Sequence, residues 1–362
     1  MERFFKTSNW RSISILVFNG SETMARQLII CGPPSQILNA TIDLAKCTFQ
    51  CVFGDFRTFE ADAADVLLNR MRESNGLPCI LLMQTPEPRM VTSALRNGVR
   101  ILYVPAKFAE SIRFLMQAQP IELQEAIRVV SQSVVSLLPF ATSPASLHFD
   151  VEQNEFVPRK AILSIASAID TALTDEEISV IENSLDTQAL LGHQGDMHSS
   201  RTSEPRASAR ADDRVLITKT SVFYDTLSSG SDVATPAYWP AELFINGTPP
   251  HDHLKEPFKL VGPARFLFFG PYLTLPVGTW RATVSFSIVD NDAGGRVTFD
   301  IHSADKILAE GDCDLPVFGS FATNLTFEVV DPTQMIEIRA ILRTGMLGGR
   351  FELLGVSLER LA

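Results

Sequence analysis

Between Trp280 and Ile288 the chain alternates without a break. Trp280, Ala282, Val284, Phe286 and Ile288 are apolar, and Arg281, Thr283, Ser285 and Ser287 between them are polar or small. A repeat of two sends successive side chains to opposite sides of a pleated strand, so one face of this segment suits a core and the other water. The pattern returns at Val297, Phe299 and Ile301, at Leu325, Phe327 and Val329, and at Ile336 and Ile338. Turn residues separate the segments: Asn291 to Gly295, Asp331-Pro332, Gly345 and Gly348-Gly349. Half-apolar strands at this spacing need a second sheet to cover them. The expectation for residues 214–362 is an all-β antiparallel sandwich of jelly-roll type.

The first half reads differently. Leu28 to Cys31, Phe49 to Phe53, Cys79 to Met83 and Val99 to Val104 are short apolar runs expected as strands. Helical stripes stand between them, at Ile37 to Ala45, Ala61 to Met71, Met90 to Leu95 and Ala109 to Met116. Uninterrupted apolar strands alternating with helices predict an α/β three-layer domain on a short parallel sheet of about four strands. Residues 120–190 read as a helical extension, so this domain is set at 25–190. Thr174 with Glu177 three positions on forms a capping box for one of its helices. Residues 191–213 are expected to be a flexible linker, because Ser199 to Arg210 within them mix charge, Ser and Ala without a large apolar side chain.

With 362 residues, 45% of them hydrophobic, the chain is long enough for two folded domains. Its formal net charge of -11 argues against a broad nucleic-acid footprint, which needs a basic surface. No run approaches the apolar length of a membrane span, and Ser12 to Phe18 is too short for a signal-peptide core. Cys31, Cys47, Cys51, Cys79 and Cys313 lack the close spacing of a zinc knuckle and suggest reduced thiols. A cytoplasmic protein without metal or cofactor is the expectation. His251-Asp252-His253 has metal-ligand residue types, but no nearby Cys or Glu pattern completes a set.

Two resemblances bear on function. The turn Cys31-Gly32-Pro33-Pro34-Ser35-Gln36, between a strand and a helix, resembles an eroded form of the phosphosulfate-binding loop of sulfotransferases. Ile80 to Ser93 is similar to that family's next strand and its Arg/Ser segment, with Gln84 where the family has arginine. The resemblance implies nucleotide contacts at Gly32, Ser35, Arg89 and Ser93, in a divergent transferase acting on a glycan. Losing the cations weakens that reading, because anion binding relies on charge-assisted bonds. A rival reading takes Ala94 to Gly98, ahead of Val99, as the end of a receiver-like signalling or scaffold domain, with Asp55 as phosphoacceptor.

The run from Gly262 to Trp280, with Gly270-Pro-Tyr272 and Leu275-Pro-Val-Gly278, resembles accessory β-sandwich domains of bacterial polysaccharide-locus glycosyltransferases. That resemblance implies a non-catalytic accessory protein of surface-polysaccharide biosynthesis, partnered by carbohydrate or by polysaccharide-synthesis proteins. Sugar rings stack their C–H faces on aromatics and bond carboxylates, amides and Arg. Tyr238, Trp239 and Tyr272, with Arg265, Asp290, Asn291 and Asp292, lie in turn-rich sequence and are the candidate glycan contacts.

Overall fold

A computed structural model of the chain describes residues 27–149, 156–184, 211–231, 235–292 and 294–361. The expected linker lies outside them except for residues 211–213. The chain divides into two compact units, residues 1–115 with 136–206 and residues 116–135 with 207–362.

The first unit is built on a parallel sheet of five strands in the order β2-β3-β1-β4-β5. These are β1 (Gln27–Cys31), β2 (Arg57–Glu60), β3 (Cys79–Met83), β4 (Arg100–Tyr103) and β5 (Ser146–His148). Helices α1 (Gln36–Phe53), α2 (Ala64–Glu73), α3 (Pro88–Arg96) and α4 (Phe108–Ala118) connect them. α5 (Leu123–Ala141) leads to β5, and α6 (Pro158–Ala168) and α7 (Asp175–Ser184) follow. Leu28 and Ile30 of β1 join Ile80 and Leu102 in a core with α1, α6 and α7. Ile29 and Cys31 face the opposite way, into a core with Leu81, Ile101, Met90 and Leu137. Burial on both faces is why these strands read as unbroken apolar runs.

Two expectations for this unit need correction. Phe49 to Phe53 is the last turn of α1, not a strand, and the second strand is Arg57–Glu60. The aromatic run packs from the helix, with the Phe49 ring 5.2 Å from Phe53 and 5.7 Å from Phe56. A short apolar run fits a buried helix as well as a strand, so periodicity does not separate them. The sheet also has a fifth strand, which interrupts the stretch read as helical; only Ser146 of its three residues is buried, so it carries no apolar signal. The capping box forms as expected: Glu177 N–H donates to Thr174 Oγ1 at 3.3 Å, and Thr174 N–H to Glu177 Oε2 at 2.7 Å. The Thr174 N–H, with the Thr174 hydroxyl donating to the same oxygen at 2.9 Å, holds the Glu177 carboxyl below its usual range.

The second unit opens with a helix where the sandwich was expected to begin. In α8 (Ala211–Ser228), Leu216, Ile217, Thr220, Phe223, Tyr224 and Leu227 form a buried stripe. Phe223 meets Trp280 edge-on at 6.0 Å, and the Tyr224 hydroxyl donates to the Thr274 carbonyl at 3.1 Å. The sandwich follows as β6 (Ala237–Trp239), β7 (Ile245–Asn246), β8 (Phe258–Lys259), β9 (Arg265–Phe269), β10 (Pro271–Leu273) and β11 (Gly278–Val289). β12 (Arg296–Ser303), β13 (Lys306–Asp314), β14 (Gly319–Val329), β15 (Ile336–Leu342) and β16 (Arg350–Arg360) complete it. One sheet runs β13-β12-β15-β9-β7, with β10 on β15, and the other β14-β11-β16-β6, with β8 on β16. All of these pairings are antiparallel. Aromatic rings fill the space between the sheets: Phe286 stacks on Phe351 at 5.2 Å and lies 5.5 Å from Phe299, and Phe268 lies 6.0 Å from Phe351.

Among the described residues no helix is long and apolar enough to cross a membrane. Burial pushes the Cys79 thiol up to about 12 and the Cys31 thiol further in the same direction, whereas Cys51 is exposed. A thiol reacts as thiolate, so iodoacetamide should alkylate Cys51 in the native protein and spare Cys31 and Cys79 until denaturant is added. Peptide mass spectrometry reads the outcome. Phe286→Ala should destabilise the second unit by about 3–5 kcal/mol, read from urea unfolding followed by tryptophan fluorescence.

Candidate binding face of the sandwich

The outer face of the β12-β15-β9 sheet carries a linked set of polar side chains. Thr298, Asp300 and His302 alternate with the core residues of β12, and Glu337, Arg339 and Ile341 do the same on β15. The register sets Asp300 opposite Arg339 and His302 opposite Glu337. Asp300 is 2% exposed at its side chain, and Arg339 grips it with two bonds of 2.7 Å, from Nε to Oδ1 and from a terminal nitrogen to Oδ2. His302 Nε2 lies 3.5 Å from the same carboxylate and contacts the Arg339 guanidinium. Arg339 also lies over the Phe266 ring of β9, 5.4 Å from its centre, and Phe266 is 42% exposed. Asp300 holds Arg339 well inside the charged range despite burial.

At one end of this face Tyr272 and Glu337 border a cavity of about 360 Å³, lined also by His302, Thr333, Gln334 and Met335. The Tyr272 hydroxyl donates to Glu337 Oε1 at 2.7 Å. The Arg128 guanidinium lies 5.1 Å from the centre of its ring, and Arg128 Nε donates to the Pro271 carbonyl at 3.0 Å. Tyr272 has φ +65, a left-handed conformation rare outside glycine, and these contacts hold it there. Burial raises the Tyr272 phenol above its ordinary range and Glu337 adds to the shift, against Arg128 and Arg339, so the group stays protonated as a donor. Below, burial pushes the Asp331 carboxyl up, but bonds from Thr333 and Gln334 outweigh it and hold the carboxyl down, shaping the 331–334 turn.

Of the expected glycan contacts, Tyr272 alone lies in this cavity. Trp239 is fully buried beside the Tyr224 hydroxyl and has no face to offer a ligand. Tyr238, its neighbour on β6, is partly exposed and donates to the Leu354 carbonyl at 2.8 Å. It lies so close over Gly355 that a Cβ there would come within 2.4 Å of its hydroxyl oxygen. Arg265, at the opposite end of β9, donates to the carbonyls of Lys259, Leu260 and Pro263 at 2.8, 3.3 and 3.2 Å and pins that turn. Asn291 is fully buried, its amide donating to the Leu315 and Pro316 carbonyls. Asp290 pairs with Arg350 at 2.7 Å, and Asp292 is exposed in the same turn. Arg265, Asp290, Asn291 and Asp292 thus gather at the end of the sandwich away from Tyr272. Asn291 and Arg265 shape loops there, for which one-residue polarity gave no signal. Glu337, Arg339 and His302 were missed because each reads as the polar partner of a strand, and Phe266 because an aromatic residue in an apolar run reads as core; only the β12-β15-β9 register joins them.

The first unit's candidate loop is closed. Gly32, Pro33, Pro34 and Ser35 are all buried, and a Cβ at Gly32 would meet the Val104 carbonyl oxygen at 2.2 Å. Ser35 Oγ is spent on capping α1, accepting from Leu38 N–H at 3.1 Å. At the end of β3, Asp62 Oδ1 accepts from the backbone N–H groups of Gln84 and Thr85, both at 2.9 Å. An internal carboxylate thus sits on amides that could otherwise meet an anion. Arg89 pairs with Glu87 at 2.8 Å, and Ser93 accepts from the Asn97 amide. This geometry lends the nucleotide reading no support. Nor is the strand order that of a receiver-like sheet, 2-1-3-4-5, and Asp55 precedes β2, at the end of the sheet opposite the carboxyl ends where ligands bind. Among the described residues no three His, Cys, Asp or Glu side chains gather as a metal site; His251 Nδ1 lies 3.0 Å from the Asn246 carbonyl oxygen.

No family model matches the chain, and neither does any curated protein sequence. Among solved structures it is similar to a cyclase from Fischerella sp. TAU, at 17% identity over 35% of this chain and 75% of that one, with a TM-score of 0.24. It is similar to the C-terminal carbohydrate-binding module (CBM6) of LamC from Zobellia galactanivorans, at 13% identity over 35% of this chain and all of that one, TM-score 0.23. A carbohydrate-binding module of Cellvibrio mixtus lichenase 5A, solved with cellotriose, matches at 12% identity over 35% of this chain and 98% of that one, TM-score 0.22. Likeness at this level decides neither ligand nor activity.

Arg339 should be indispensable to the face. Arg339→Met leaves the Asp300 carboxylate buried without its cation and should cost about 3–5 kcal/mol, whereas adding Asp300→Asn should recover part of the loss. Urea unfolding of both variants reads the difference.

Proposed function

We propose that the sandwich binds carbohydrate through the Tyr272 cavity and the adjoining face of β15 and β9. The observation that carries the reading is the arrangement around Tyr272: a ring locked by Arg128 and Glu337 beside His302 and the Gln334 amide, in a cavity of about 360 Å³. A fixed aromatic surface beside carboxylate, imidazole and amide groups suits the C–H face and hydroxyls of a sugar ring. The volume falls at the small end of ligand pockets, about 300–1,000 Å³, which fits a short stretch of glycan. Phe266, exposed under Arg339, extends the apolar strip along the sheet.

On this reading the chain is a non-catalytic accessory protein of bacterial surface-polysaccharide production that holds glycan for its synthesis partners. The resemblance of Gly262 to Trp280 to accessory domains of such enzymes supports that setting.

A glycan array probed with the full chain should show selective binding. Tyr272→Ala should raise Kd about tenfold or more, a loss of about 1.4 kcal/mol, while Asp292→Ala at the other end leaves it unchanged. No binding by the full chain, or equal affinity after Tyr272→Ala, would sink the reading. Mass spectrometry of the bound glycan should show it unaltered after incubation; a modified or cleaved chain would make the protein an enzyme.

A further inference from the structure

Each sheet of the sandwich ends on a long strand, β13 in one and β14 in the other, and the two edges are built differently. β13 carries Lys306, Glu310, Asp312 and Asp314, and its register with β12 shifts between Ile301 and His302. Charge and irregularity are the ordinary devices that keep a sheet edge from pairing with another chain. β14 has neither device. From Gly319 to Phe327 it holds no charge and no proline, and Glu328 follows near its end. Its register with β11 runs unbroken from Gly278 opposite Val329 to Ile288 opposite Gly319. The side of β14 away from β11 bonds no backbone among the described residues. Ser320, Ala322, Asn324 and Thr326 are exposed on its outer face. Phe321 faces inward, 6.1 Å from Phe286, yet is 38% exposed, and Val317 and Phe318 just before the strand are 53% and 76% exposed.

We propose that β14 docks a second copy of this chain, two β14 strands pairing antiparallel about a two-fold axis and joining the two β14-β11-β16-β6 sheets into one. Self-pairing centred on Asn324 sets Ser320 against Glu328, Phe321 against Phe327 and Ala322 against Thr326 of the other copy. Glu328 then meets a serine rather than its own counterpart, so no like charges face each other. The half-exposed Phe321 comes against Phe327, whose ring is buried, and the apolar inner face continues across the joint. A two-fold pairing uses one surface twice and closes at two copies. The interface is independent of the glycan site, on the other sheet.

Sedimentation velocity of the full chain across the micromolar range should show a dimer. Ala322→Lys with Thr326→Lys sets lysine against lysine twice across the joint and should leave monomer. Ala322→Lys with Thr326→Glu sets lysine against glutamate and should keep the dimer. Both positions face solvent in a single copy, so circular dichroism should match the parent in each variant. A parent monomeric throughout, an assembly larger than two, or a dimer indifferent to the double lysine would each overturn the proposal. Should the variants fail to fold, hydrogen exchange on the parent decides: protection of the 319–329 amides should rise with protein concentration, and protection independent of concentration would also overturn it.

Discussion

The second unit depends on one constraint, that the apolar faces of two antiparallel sheets must cover each other. The Phe286, Phe351, Phe299 and Phe268 rings meet at the centre of that contact, each fully buried. With one face of each strand committed to the core, the alternation of the pleat sends the intervening residues outward. The polar row of Asp300, His302, Glu337 and Arg339 is therefore a consequence of the same register that packs Phe299, Ile301, Ile336 and Ile338 inside. A slip of one residue between β12 and β15 would exchange the two sets.

The outward row is itself organised. Asp300 lies on the outer face yet is almost wholly covered, and burial of a carboxylate is tolerable because Arg339 meets it with two bonds. That pairing aims the guanidinium across Phe266, and Glu337 on the same strand orients Tyr272. Tyr272 in turn needs Arg128 over its ring to hold a backbone conformation that its side chain disfavours. The cavity is thus preformed by residues whose first bonds are to one another, an arrangement that lowers the ordering cost of binding.

The first unit shows the opposite use of similar parts. Its topology places the loops after β1 and β3 side by side, where open α/β sheets take their ligands. Here the loop after β1 is buried under proline, and the amides after β3 are satisfied by Asp62. The groups that would have served an anion instead tie the strand ends together. At that location the turn from Gly32 to Ser35 is buried and the Asp62 carboxylate occupies the Gln84 and Thr85 amides.

Much of the architecture was legible residue by residue. Alternation from Trp280 to Ile288 specified a half-buried strand, and Thr174 with Glu177 specified a helix start, since both signals depend on neighbours within four positions. The stripe of Leu216, Ile217, Thr220, Phe223, Tyr224 and Leu227 was equally local, although helix α8 lay inside a stretch read as sandwich. Phe49 to Phe53 was ambiguous because a short apolar run suits a buried helix and a buried strand alike. What the sequence by itself determined was which residues must leave water and at what period. Tertiary structure alone decided which exposed residues meet. It buried Trp239 under α8, spent Arg265 and Asn291 on backbone carbonyls, and brought Tyr272, Glu337 and His302 to one cavity. Those outcomes follow from pairing between strands distant in the chain, and no local pattern encodes a partner that far away.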